Sequence, residues 1–165
     1  MKSPPPAKMS QSSPRSPSLV ARRAFSKRTA INEFQVQHFC GLCHALIRRT
    51  LDRFKVKTSS DLPEQGWQAF TQMPEYGLFT SGAYACGFVC SDLAPNVDLE
   101  AVNANPAEAL SGQTLPQLRH YMHTLMRSER ANNGYCSVLY EAMCAGVLEV
   151  FCARLERDPD LYESL

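Results

Sequence analysis

Between residues 30 and 54 apolar side chains recur every three or four positions: Val36, Phe39, Cys40, Cys43, Leu46, Ile47, Thr50, Leu51 and Phe54. That is the period of an α-helix with one buried face, so residues 30–54 are expected to form the first helix. Asn32 or Thr29 offers a side-chain acceptor for the orphan N–H groups at its start. Arg48, Arg49 and Arg53 fall near its C-terminal end, where the helix dipole favours cations. After a polar exit over residues 55–60, Asp61 and Pro63 read as the opening of a short second helix. It carries Trp67, Phe70 and Met73 inward and ends at Met73-Pro74. Residues 74–90 place Tyr76, Phe79, Ala83, Cys86 and Val89 or Cys90 at helical spacing. Gly77, Gly82 and Gly87 weaken that helix and predict a neighbouring element packed closely on a small-residue face. Residues 91–112 are rich in Pro and Asn and read as loop, with one helical turn at 106–110. A connection of this length inside a domain is functional or mobile.

From residue 114 the signals agree best. Thr114 with Gln117 forms a capping box, Pro116 sits in the first turn, and Leu115, Leu118, Met122, Leu125 and Met126 make an inward stripe. Asn132-Asn133-Gly134 supplies a left-handed end. Residues 135–145 and 147–157 read as two more helices, separated by Gly146 and closed by Asp158-Pro159. Their inward residues are Val138, Leu139, Ala142 and Met143, then Leu148, Phe151, Cys152 and Leu155. The run 114–157 is therefore the part around which the chain is expected to be organised. No segment alternates with period two over a strand length. The expected fold is all-α: a small compact bundle of about five or six helices over residues 30–158, with a tail at 159–165.

Charge changes the picture at the N-terminus. Before Ile31 there are seven basic residues and no acid, whereas the rest of the chain holds ten basic against 16 acidic residues. Residues 1–29, made largely of Ser, Pro, Arg and Lys, cannot bury enough apolar surface to offset the cost of ordering, and are expected to be a disordered basic arm. Such an arm solubilises the chain, or meets an anionic partner or the chain's own acidic body. Its acid-free, Arg- and Ser-rich composition also resembles a mitochondrial transit peptide, but Pro4, Pro5, Pro6, Pro14 and Pro17 break the amphipathic helix such a peptide needs. No apolar run is long enough to span a membrane, and no apolar stretch follows the basic residues as in a secretory signal. The chain is expected in the cytoplasm, with no membrane contact, and its seven cysteines are expected as reduced thiols.

The candidate chemistry lies in these thiols and in a few arginines. Cys40-Gly-Leu-Cys43-His44 matches the Cys-x-x-Cys-His pattern of c-type haem attachment. Haem of this kind is attached after export, and both thiols share the stripe of apolar core positions, so packed thiols are preferred and no cofactor is expected. Zinc is the better metal alternative: Cys40 and Cys43 with Cys86 and Cys90, or with His38 and His44, would give a tetrahedral donor set. His120 and His123 lie three apart, without an acid or thiol to complete a ligand set, and are expected as surface polar residues. A catalytic thiol would need a nearby base in an electropositive pocket, and no motif marks one. Arg127 and Arg130 share a helix face three residues apart, suited to an anion or nucleic acid. The competing and preferred reading joins them with Glu129 and Gly134 in an ion-pair network that fastens the helix to its successor.

Residues 61–157 resemble an uncharacterised bacterial domain family. Its C-terminal signature runs Leu, a helix, Arg-Gly-Glu-Arg-Phe, two or three residues, Gly, a helix, Gly and Arg-Leu. Here Leu118, Arg127-Ser-Glu129-Arg130, Gly134, Gly146 and Arg154-Leu155 carry it, with Trp67-Gln-Ala-Phe70 and Met73-Pro-Glu-Tyr76 upstream. Ser128 stands where the family has Gly, and Ala131 where it has Phe. The resemblance implies a compact bacterial domain and no known chemistry. The expected function is a non-enzymatic accessory or regulatory binding module for a protein or nucleic-acid partner, contacting it through Arg48, Arg49, Arg53, Arg127 and Arg130. The alternatives are a cysteine-ligated zinc protein and an enzyme with a reactive cysteine.

Overall fold

The computed structural model describes residues 31–89, 96–132 and 134–157, and the structural statements below concern these residues. Eight α-helices and one 3-10 turn follow in order: α1 (Glu33–Phe54), the turn Ser59–Asp61, α2 (Trp67–Thr71), α3 (Pro74–Ala85), α4 (Leu99–Ala104), α5 (Pro106–Leu110), α6 (Leu115–Ala131), α7 (Val138–Cys144) and α8 (Val147–Arg157). The described residues contain no strand, so the fold is all-α. There are more helices than the expected five or six because short polar caps cut the chain more finely than apolar spacing shows. Asp98 caps α4 by accepting from the Ala101 N–H, and Asn105 caps α5 by accepting from the Glu108 N–H. Helix α4 thus stands where loop was expected, while α5 is the helical turn expected at 106–110. Asp61 closes the 3-10 turn instead of capping a helix, and α2 starts only after Gly66. The basic arm at 1–29 and the tail at 159–165 lie outside the described residues.

The hub is α1, not the C-terminal run. Its face of Val36, Phe39, Cys40, Cys43, Leu46 and Ile47 is buried, and the helix packs mainly against α3 and α8. Four phenylalanines from different parts of the chain meet there. Phe39 lies 4.3 Å from Phe88, 5.1 Å from Phe79 and 6.2 Å from Phe151, centroid to centroid. All four rings are fully buried. Such offset and edge-on pairs add to the stabilisation that area burial already provides. Gly82 lets α3 approach α1 this closely, since a Cβ there would run into Leu42. Gly87 plays another part: at φ +82° it ends α3 in the left-handed conformation rather than continuing it.

The start of α1 is a reciprocal cap. The Gln35 N–H donates to Asn32 Oδ1 at 2.8 Å, and the Asn32 N–H donates to Gln35 Oε1 at 2.9 Å. Asn32→Ala is expected to lower stability by about 1 kcal/mol, and Asn32→Gly by only a few tenths, read from the urea midpoint. An equal loss in both variants would show that the side-chain bond is not what stabilises the helix end.

Helix α6 is enclosed to an unusual degree. Tyr121 through Met126 are buried without a break, as is Arg119, because α3, α4 and α7 cover different sides of it. His123 is fully buried, which corrects the expectation of a surface histidine, and His120 is half-buried. One helical periodicity describes one buried face; a helix wrapped on several sides escapes it.

Candidate functional site

The C-terminal half of α1 forms an exposed ridge between two grooves. Arg49 and Arg53 line a groove of about 520 Å³ with Gln72, Met73, Pro74 and Glu75. Arg48 lines a groove of about 500 Å³ on the other flank, with His44, Leu51, Val56 and Lys57. Asp52 borders both. Arg49 Nε lies 3.5 Å from Glu75 Oε1, an exposed pair of the kind that contributes little. Arg48 and Arg53 form no ion pair with any described residue. The chain leaves α1 through Lys55, which adopts a left-handed φ of 54° and brings Lys55 and Lys57 to the same end. The dipole of a helix of 22 residues ends negative here and so favours this cluster of cations.

Arg127 and Arg130 are also exposed, at the end of α6. Glu129 between them turns inward and is buried. It does fasten α6 to the next helix, but by hydrogen bonds from neutral groups rather than by arginine ion pairs. Its Oε1 accepts from Tyr76 Oη and from Ser137 Oγ, both at 2.7 Å, and its Oε2 accepts from the Leu139 N–H at 2.9 Å. Ser137 is the N-cap of α7, accepting in turn from the Tyr140 N–H. The carboxylate therefore sits against the N-terminus of α7, where N–H groups and the dipole favour negative charge. Burial, and then the bond to Glu129, push the Tyr76 phenol above its ordinary value, keeping it a neutral donor. Gly134, at φ +86°, makes the turn between α6 and α7 with no neighbour close to it. Tyr76 and Ser137 had no place in the sequence-based network; Ser137 is recognisable only once α7 is seen to begin at Val138 and not at residue 135.

Tyr76 also joins the two arginine groups. Its neighbour Glu75 faces Arg49 while Tyr76 reaches Glu129, so the first turn of α3 connects the α1 ridge to the foot of α6. Beside it, Tyr76, Thr80, Ser81 and Tyr84 of α3 face Met126, Glu129 and Arg130 of α6 across a groove of about 300 Å³.

Four of the described thiols, Cys40, Cys43, Cys86 and Cys152, are buried. Cys40 and Cys43 point into the core, whereas His44 points out and binds Glu156, Nε2 to Oε1 at 2.6 Å. Cys40 and His44 are one helical turn apart, so burial rather than helix side separates the core thiols from the exposed imidazole. Cys40 meets Cys152 of α8, and Cys152 also meets Cys43. Cys86 is buried near the end of α3, and Cys90 lies outside the described residues. Among the described residues no three His, Cys, Asp or Glu side chains come together as a metal-ligand set. A bond to Cys152 and burial push the Cys40 thiol up. For Cys152, a bond to Cys40 pulls down but is outweighed by a bond to Cys43 and by burial. Burial raises Cys86 and Cys144 as well. Raised thiols of this kind hold little thiolate, the form a nucleophile needs.

Two further cations join helices to backbone carbonyls. Arg119, almost fully buried, donates from Nη2 to the Gly87 carbonyl at 2.6 Å and so ties α6 to the end of α3. Arg154 donates to the Gln113 carbonyl at 2.9 Å, fixing α8 to the segment that precedes α6. Both bind backbone carbonyls and serve the fold. No described helix is long and apolar enough to cross a membrane. No family model matches the chain, and comparisons with curated proteins and with solved structures give no significant match.

Proposed function

We propose that this chain is a non-enzymatic accessory or regulatory module of a bacterial cytoplasm, binding an anionic partner, nucleic acid or the acidic face of a protein, through the ridge at the end of α1. One observation carries the reading. Of the ten basic residues after residue 30, five (Arg48, Arg49, Arg53, Lys55 and Lys57) fall within ten consecutive positions, and all five are exposed. The remainder of that body is acidic, so the ridge is a local reversal of sign. Local potential of this kind steers an anionic partner to one face. The grooves on both flanks give a partner places to seat groups beyond its charge. Arg127 and Arg130 stand apart at the end of α6, and the reading does not depend on them.

The test is binding to labelled single-stranded and duplex DNA and RNA, and to an acidic polypeptide, over a range of salt. Affinity is expected to fall linearly on a log–log plot against salt. Arg48→Ala and Arg53→Ala should each lower the slope for nucleic acid by about one and weaken all sequences alike, as loss of a phosphate contact does. Affinity that ignores salt, or no binding to any of these probes, would dismiss the ridge as a binding surface.

A further inference from the structure

We propose that the groove between α3 and α6 binds a free α-amino acid, with the ammonium group at Glu129 and the carboxylate at Arg130. The site lies on a different part of the surface from the α1 ridge and stands or falls independently of it. Its lining is of mixed charge: a buried carboxylate, an exposed guanidinium, four hydroxyl-bearing side chains in Tyr76, Thr80, Ser81 and Tyr84, and the side chain of Met126.

Glu129 is the pointer to a cation. Buried carboxylates are normally paired with one. This one meets no cation among the described residues; its three partners are neutral donors. An ionised carboxylate offers about four acceptor positions, and three donors leave one for a ligand N–H. The residue both lines the groove and is buried at 8% exposure, so its carboxylate is held in place by its three donors, and a ligand ammonium that reaches it makes a charge-assisted bond. Arg130 supplies the opposite sign at the rim of the same groove and forms no ion pair with a described residue.

The pairing of signs selects the ligand class. An inorganic anion would meet Arg130 but be repelled by Glu129. A simple amine would meet Glu129 but be repelled by Arg130. A molecule that carries an ammonium and a carboxylate on one carbon satisfies both residues. The volume of about 300 Å³ lies at the small end of ligand sites and suits a ligand of this size better than a nucleotide. Tyr84 and Met126 provide the apolar contact for its side chain.

The experiment screens the twenty free L-amino acids singly against the full chain, by thermal unfolding and then calorimetry, at up to about 10 mM ligand. At least one is expected to raise the unfolding temperature. Its decarboxylated amine and its deaminated acid should each bind about tenfold more weakly or worse. Arg130→Ala, an exposed change that should leave unliganded stability as it is, is expected to bind the amino acid about tenfold more weakly while binding the matching amine no worse. The proposal is overturned if no amino acid shifts the transition, if the amine or the acid binds as well as the parent zwitterion, or if Arg130→Ala binds it as tightly as the unaltered chain.

Discussion

Replacing Glu129 by alanine is expected to destabilise the chain by about 3–5 kcal/mol, because it strands three hydrogen-bond donors at about 1–3 kcal/mol each. The carboxylate gathers three donors from three places: Tyr76 of α3, the Ser137 N-cap, and the backbone of α7. Removing it strands all three. A stranded buried donor costs about 1–3 kcal/mol, which outweighs the modest net gain of any one bond when made. Partial wetting from the adjoining groove keeps the total below the simple sum. Tyr76→Phe removes one donor and leaves the carboxylate with two, so a loss of only about 1 kcal/mol is expected. Glu129→Gln should fall between, because its amide nitrogen turns a donor toward other donors. Urea unfolding of the three variants checks the order. A loss below about 1 kcal/mol for Glu129→Ala would show that the residue does not join α3, α6 and α7.

Phe39→Ala should cost a similar amount, about 3–5 kcal/mol, through a different mechanism. The ring is fully buried and meets Phe79, Phe88 and Phe151, which come from α3, the segment after it, and α8. Its loss leaves a void lined by three other rings, which cannot collapse without displacing two helices. Phe39→Leu, which keeps much of the volume, is expected to cost well under half as much. Denaturant unfolding should move the midpoint of each variant while leaving the slope unchanged. Equal losses for Leu and Ala would mean that the aromatic contacts, and not the filled volume, hold α1 to its neighbours.

The parts of the fold legible in the sequence are those where local signals coincide. Helix α6 begins at its capping box and α8 keeps its inward stripe of Leu148, Phe151, Cys152 and Leu155. Both depend on neighbours a few residues apart. The turn expected at 106–110 is α5, whereas α4 stands where loop was expected, because it is short and set by Asp98, whose side chain looks the same in a loop as in a cap. Glu129 lies three residues after Met126 and four after Leu125, so helical spacing continues the inward stripe to it, although a stripe read from apolar residues stops at Met126. Arg119 and His123 are beyond reach for another reason. Their burial comes from α3, α4 and α7 closing over α6, a fact of tertiary packing. The neighbour of Cys40 was similarly out of view, because Cys152 lies far along the chain in α8.

The pair between Arg49 and Glu75 has a consequence for whatever settles on α1. Glu75 is 22% exposed against 63% for the arginine, and its neighbour Tyr76 is anchored from within by Glu129. The acid is therefore the fixed member and the guanidinium the movable one. Under the proposed binding at the ridge, Arg49 would exchange a weakly held resident carboxylate for a visiting one, whereas Arg48 and Arg53 have none among the described residues to exchange.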